Sequence, residues 1–314
     1  MSSRNDTAKS INRDVLQRRI ARRKLADRVF AWLGLGGLVA VFVVFLALLG
    51  HLALAGIGRV SFQFFSSYPS RFAAQAGILS AWVGTILVMF VTALTAVPVG
   101  IGAAIYLEEY APKNWITDVI EINIANLAGV PSIVYGLMAL GLLVYQFHLG
   151  QSFLTAGLTL AMLILPMVII ATREAIRAVP PQVREAAYAL GATKWQTVRD
   201  HVVPYSIGGM LTGMILALSR AVGETAPLIT VGALSFIAFL PSAPFSSEAP
   251  YVSMKWLFDP FTVMPIQMFN WVSRPQQEFH ENAAAAGLVL LVMTLAMNAV
   301  AITVRARFRR RIHW

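Results

Sequence analysis

Residues 205–239 read YSIGGMLTGMILALSRAVGETAPLITVGALSFIAF, a run of 35 residues with two charges, Arg220 and Glu224. At about 1.5 Å per helical residue such a run is long enough to cross a hydrocarbon core of about 30 Å. The run is continuously apolar, whereas a barrel strand alternates over about ten residues. An isolated strand leaves its backbone unsatisfied in lipid, so helix is the expected state. Five further runs of this kind lie near Val29–Ile57, Gly77–Tyr106, Ile124–Phe147, Ser152–Ala171 and Ala283–Val304. The reading is an all-α integral membrane protein with six transmembrane helices.

Composition agrees. Only 13% of the 314 residues are charged, 57% are hydrophobic and the mean hydropathy is +0.67. A disordered chain needs the opposite balance, and so few charges do not cover a soluble globule. The chain contains no cysteine, which excludes disulfides, thiolate metal sites and a cysteine nucleophile. Its net charge of +10 is a topology signal. With both tails in the cytoplasm, 20 Lys/Arg lie inside and four outside, the remaining one being Arg220. The basic tails 1–28 and 305–314 then face anionic lipid, and no nucleic-acid partner is needed. The first run, 29–57, follows a basic stretch and ends near Ala53-Leu54-Ala55, which imitates a secretory signal. It is about twice the length of a signal core and is read as a retained span.

Arg220 lies roughly 22 Å along a helix that starts at Tyr205, within the apolar slab. An ionisable residue there costs about 2.5–3.5 kcal/mol and marks a functional site by default. Glu224 is four residues on, so the pair shares a helix face. Mutual neutralisation explains Glu224 but not why Arg220 is present. A guanidinium with five fixed donors suits a tetrahedral oxyanion. Gly209, Gly213, Ala217 and Ala221 make a smooth ridge for close helix packing. Pro227 is expected to kink or end the helix just beyond Glu224. In the third run, Gly129–Gly136 contains Pro131 and Ser132; a break with a free hydroxyl and an ordinary kink with a back-bonded serine both remain open.

The long cytoplasmic loop, 173–203, reads as two short helices. Pro180-Pro181 opens the first, Gly191 ends it, and Trp195, Val198 and Val202 mark the second. The outer loop, 240–282, carries six prolines (241, 244, 250, 260, 265 and 275). Its segment Pro260–Val272 is expected at the interface or buried. The loop offers a docking surface or, through its aromatics, an anchor at the headgroups.

The run Glu185-Ala186-Ala187, with Gly191 six residues after the glutamate and Pro204 thirteen further on, resembles the docking loop of binding-protein-dependent ABC importer permeases. Gly129–Leu137, Arg220–Pro227, Pro265–Trp271 and Pro275–Ala286 are similar to the phosphate-specific branch of that family. The resemblance spans roughly residues 70–305 and departs from the pattern at His201 and Val203. It implies the type I (MetI-like) architecture, with a permease core over 77–304. It also implies a PstC-like sister permease, two PstB-like ATPase subunits and a PstS-like periplasmic phosphate-binding protein in a bacterial inner membrane. Glu185, Ala186, Ala187 and Gly191 would meet the ATPase. Arg220, Glu224, Thr225 and Ser132 are the candidates for the substrate path. No P-loop run G-x-x-x-x-G-K-[ST] occurs in the chain. ATP and Mg would therefore be held by the partner ATPase, and this chain would carry no cofactor of its own.

The function expected is ATP-driven phosphate import by alternating access. Glu224 would accept the proton that phosphate carries and repel sulfate, which carries none. A sulfate, molybdate or phosphonate permease is the nearest alternative, and a secondary transporter with Glu224 as proton carrier is one of another class. An enzyme is disfavoured: His51, His148, His201, His280 and His313 are scattered, and no nucleophile elbow is present.

Overall fold

The computed structural model describes residues 2–243, 251 and 253–310, with the side chains of 2–22 and 308–310 excepted. The basic side chains up to Arg22 and from Arg309 onward, and the loop prolines Pro244 and Pro250, lie outside the described residues. Twelve α-helices follow in order among these residues. They are α1 (Ser2–Gly56), α2 (Phe62–Ser66), α3 (Leu79–Ile105), α4 (Trp115–Leu127), α5 (Ser132–Ala139) and α6 (Phe153–Arg177). Then come α7 (Pro181–Ala189), α8 (Lys194–Thr197), α9 (Val203–Val222), α10 (Ala226–Val231), α11 (Met264–Val272) and α12 (Gln277–Arg310). Wider π turns extend α3 over Tyr106–Tyr110 and α5 over Leu140–Gln146, and a third, Val198–Val202, joins α8 to α9. Residues 1–54 and 55–314 form two separate units. In the first, α1 exposes every described side chain from Arg23 to Leu48.

Among the described residues five helices are long and apolar enough to cross a membrane, and six if the bent pair α4–α5 counts as one span. The third apolar run is therefore not the single helix expected over 124–147. Between Trp115–Leu127 and Ser132–Gln146 the chain bends by 105°. Pro131 has no N–H to continue the ladder and is itself extended, with φ −55 and ψ 136. The Leu127 carbonyl, which Pro131 cannot serve, accepts from the Val130 N–H at 3.1 Å and from the Tyr135 hydroxyl at 2.8 Å.

The second unit is built around α6. Its partners α3 and α9 lie close because small residues replace side chains at the crossings. A Cβ on Gly157 of α6 would sit 2.3 Å from Val91 Cγ1 of α3. On the other side, a Cβ on Gly213 of α9 would sit 2.3 Å from Ala171 Cβ. Gly209 meets Ala175, and Ala217 and Ala221 are buried, so the expected ridge of α9 packs inward. Threonines return their hydroxyls to the backbone: Thr92 to Val88 O at 2.8 Å and Thr159 to Thr155 O at 2.6 Å. On the far side of α9, α12 adds polar contacts, Ser219 Oγ to Asn298 Oδ1 at 2.6 Å and Arg305 Nη1 to Thr212 Oγ1 at 2.8 Å. The outer loop turns back inward. Phe261, Val263, Met264 and Ile266 are buried, and the Met264 N–H donates to Thr85 Oγ1 at 2.9 Å.

The crossing of α3 and α6 gives a direct test. Gly157→Ala should destabilise the detergent-solubilised protein by about 1–3 kcal/mol through overpacking. Gly102→Ala, with nothing within 4 Å of its added carbon, should leave it unchanged or slightly stabilise it. Paired thermal melts check this, and equal melting temperatures for the two variants contradict the packing.

Candidate functional site

The fifth apolar run is interrupted at the two charges. Helix α9 ends at Val222 with Gly223 as its cap, one residue before Glu224 and earlier than the kink expected beyond it. Pro227 occupies the first turn of α10, where its missing N–H costs nothing. Its ring would collide with the Gly223 carbonyl if the helix ran on. That carbonyl instead accepts from the Thr225 hydroxyl at 3.4 Å, and the Glu224 N–H donates to Ala221 O at 3.2 Å. Thr225, a candidate for the path, thus also patches the break.

Glu224 lies past the end of α9, yet its Oε1 still accepts from Arg220 Nε at 3.2 Å. Arg220 Nη1 meets Met167 Sδ of α6 at 3.4 Å, a soft contact that neutralises nothing. The Arg220 side chain is 42% exposed and that of Glu224 18%, so the chain's own helices leave Arg220 partly uncovered. The two broken segments meet. Helix α5 packs on α10 so closely that a Cβ on Gly136 would fall 1.8 Å from Thr230 Oγ1 and 2.6 Å from Pro227 Cα. Ser132 is the first residue of α5, half-buried. A groove of about 490 Å³ between α3, α9 and α12 is lined by Met89, Phe90, Leu218 and Met297 and offers an oxyanion no donor.

On the loop between α6 and α9 the expected residues separate. Glu185 and Ala186 are exposed, while Ala187 is 5% exposed and packs inward. Gly191 adopts φ +83, a left-handed turn that favours glycine, and its N–H donates to Tyr188 O at 2.9 Å. Around it Leu190 and Trp195 are 89% and 60% exposed, a large apolar surface for a polar loop. Helix α6 runs to Arg177, six residues beyond the apolar run, so the loop proper is shorter than 173–203. Pro204 does not interrupt the chain from α8 to α9; the π turn before it closes with the Val203 N–H on Val198 O.

A charged cluster that the sequence did not disclose lies beside this loop. Arg173, 7% exposed, binds Glu108 at 3.2 Å and also Glu121. Arg177 binds Glu108 at 2.9 Å, and Arg184 binds Glu109 at 2.6 Å. The one local signal was Glu108-Glu109 directly after an apolar run.

A family model described as "Binding-protein-dependent transport system inner membrane component" matches residues 96–314. The chain belongs to that family. It is the multi-pass permease component of an ABC transport system, and catalysis of ATP hydrolysis resides in a separate subunit. Among curated relatives of this permease, the probable ABC transporter permease YqgI of Bacillus subtilis is 31% identical over 88% of this chain and 95% of its own length. The phosphate transport system permease PstA of Yersinia pestis is 32% identical over 82% of this chain and 81% of its own. An inward-facing structure of the MetNI methionine ABC transporter superimposes with a TM-score of 0.53 and 14% identity, covering 74% of this chain and 94% of that one, a likeness of fold alone.

Removing Arg173 leaves Glu108 and Glu121 to share the more exposed Arg177, at 2.9 and 3.8 Å. Arg173→Met should cost about 1–3 kcal/mol. Arg199→Met breaks only the open Arg199–Asp200 pair, with side chains 59% and 44% exposed, and should leave stability unchanged. Thermal unfolding of both variants checks the contrast.

Proposed function

We propose that this permease moves inorganic phosphate into the cytoplasm by alternating access, driven by ATP hydrolysed elsewhere in the complex. Its partners on this reading are a PstC-like sister permease, two PstB-like ATPase subunits holding ATP and Mg, and a PstS-like phosphate-binding protein. The complex sits in a bacterial inner membrane with both termini of this chain in the cytoplasm, as the basic tails favour.

The observation that carries the reading is the Arg220–Glu224 pair at the break between α9 and α10. Only Nε of the guanidinium is taken by the carboxylate, and the side chain is 42% exposed within its own chain. Nη2 is open to a passing oxyanion, and Nη1 meets only the weak acceptor Met167 Sδ. Glu224 lowers the net charge of the site, so an anion is held weakly and released. It accepts the proton of a phosphate hydroxyl and repels the fully ionised sulfate. Thr225 and Ser132, on the two interrupted segments, complete the path. The PstA relatives favour phosphate over sulfate, molybdate or phosphonate. Glu185, Ala186 and Gly191 form the surface that meets the ATPase, with Ala187 supporting it from behind.

The test is labelled phosphate uptake in vesicles holding the whole complex. Arg220→Gln should cut uptake about tenfold or more, the loss of charge-assisted bonds worth about 1.5–3 kcal/mol. Normal uptake at normal assembly removes Arg220 from the path. Glu224→Gln should admit labelled sulfate that the unaltered complex refuses; unchanged selectivity removes the discriminating role of the carboxylate.

A further inference from the structure

Three consecutive residues at the cytoplasmic end of α3 reach three different elements. The π turn Tyr106–Tyr110 is closed by the Ala111 N–H on Tyr106 O at 2.8 Å. From it Glu108 accepts from Arg173 and Arg177 of α6 at 3.2 and 2.9 Å. Glu109, its side chain 7% exposed, accepts from Arg184 of α7 through Nη2 at 2.6 Å and Nε at 3.1 Å. The Tyr110 ring lies 5.2 Å from Lys194 Nζ of α8.

Arg184 is committed further. Its Nη1 donates to Val179 O at 2.9 Å and its Nη2 to Ile176 O at 3.2 Å, at the end of α6. Ile176 lies in the last turn of α6, where its carbonyl also accepts from the Val179 N–H at 3.1 Å, and Val179 follows the helix. One guanidinium therefore joins α7, the close of α6 and the extension of α3. A charge pair this enclosed is costly to separate, because each partner would be left in a poorly solvated place. Adjacent in sequence, Glu185 points outward while Arg184 points in. The short helix α7 thus carries an outward surface and an inward anchor on opposite sides.

We infer that the π turn Tyr106–Tyr110 is the joint through which movement of the cytoplasmic loop enters the membrane domain, with Glu109 on Arg184 and Tyr110 on Lys194 making α7, α8 and the end of α3 one rigid body. Glu109 and Arg184 are positioning residues in this scheme: neither meets the transported solute. A push on the exposed face of α7 then moves α3 directly, in place of bending the loop at Ala178–Pro180 or at Gly191. A π turn in a helix is a frequent mark of such a functional position. The inference rests on the ATP-driven reading and is indifferent to which oxyanion is carried.

Two measurements on the full complex in vesicles test it. Glu109→Gln keeps the shape and removes the charge. The ATPase subunits should still co-purify and hydrolyse ATP, while solute moved per ATP falls about tenfold. An unchanged ratio overturns the joint, and so does loss of ATPase binding together with transport, which marks a merely structural pair. The second measurement leaves the joint intact. The chain has no cysteine, so Gln182→Cys with Tyr106→Cys gives one defined spin-label pair. Its distance should agree within about 2 Å between nucleotide-free and vanadate-trapped complexes, and a change beyond about 5 Å overturns the rigid body even if Glu109→Gln fails to assemble. Absence of ATP-driven transport by the unaltered complex overturns the functional reading and this inference with it.

Discussion

Backbone carbonyls freed inside an apolar slab must find donors, and the second unit of this protein is organised by that constraint at two prolines. Around Pro131 the Tyr135 hydroxyl reaches Leu127 O; around Pro227 the Thr225 hydroxyl reaches Gly223 O. Each repair is local, and each leaves a helix interrupted where an unbroken one would be cheaper. The two interruptions are then pressed together at Gly136 and Pro227, where no side chain larger than hydrogen fits on α5. Gly136 and Pro227 are buried at that contact, and Arg220 and Glu224 stand at the break that precedes α10.

The remaining architecture keeps those two breaks in place. Helix α6 lies centrally, held to α3 and α9 by missing side chains more than by attractive groups. Between helices in lipid there is little hydrophobic gain, so close backbone approach and dispersion supply the cohesion. A cluster of charges lies at the C-terminal end of α6, where Arg173, Arg177 and Arg184 face Glu108, Glu109 and Glu121. The apolar face of α9 and the charged end of α6 are therefore parts of one continuous support, from the loop to the interrupted spans.

Much of this was legible from residue order, and the exceptions have physical causes. The apolar runs identified the spans because lipid demands about twenty consecutive apolar residues. The ridge from Gly209 to Ala221 identified the packed face of α9 because helical periodicity is local. Pro131 and Pro227 announced breaks, but not their geometry. Hydropathy gives the same value to a helix that crosses and to two helices at 105°, and the angle follows from where α5 finds α10. The helix stopped before Glu224 because the proline ring excludes the carbonyl four residues back, which moves the end toward the N-terminus. The inward turn of Ala187 depends on what lies beneath α7, which no local pattern encodes.

The amino-acid sequence alone determined the membrane class, the number of candidate spans, the lone guanidinium within them and the family resemblance of the loop, since each is a property of neighbouring residues. Only the tertiary structure decided that Arg220 is left partly uncovered by its own chain, that the two interrupted segments meet, and that Glu109 holds Arg184. Those pairs are separated by tens of residues, and burial, not spacing, brings them together.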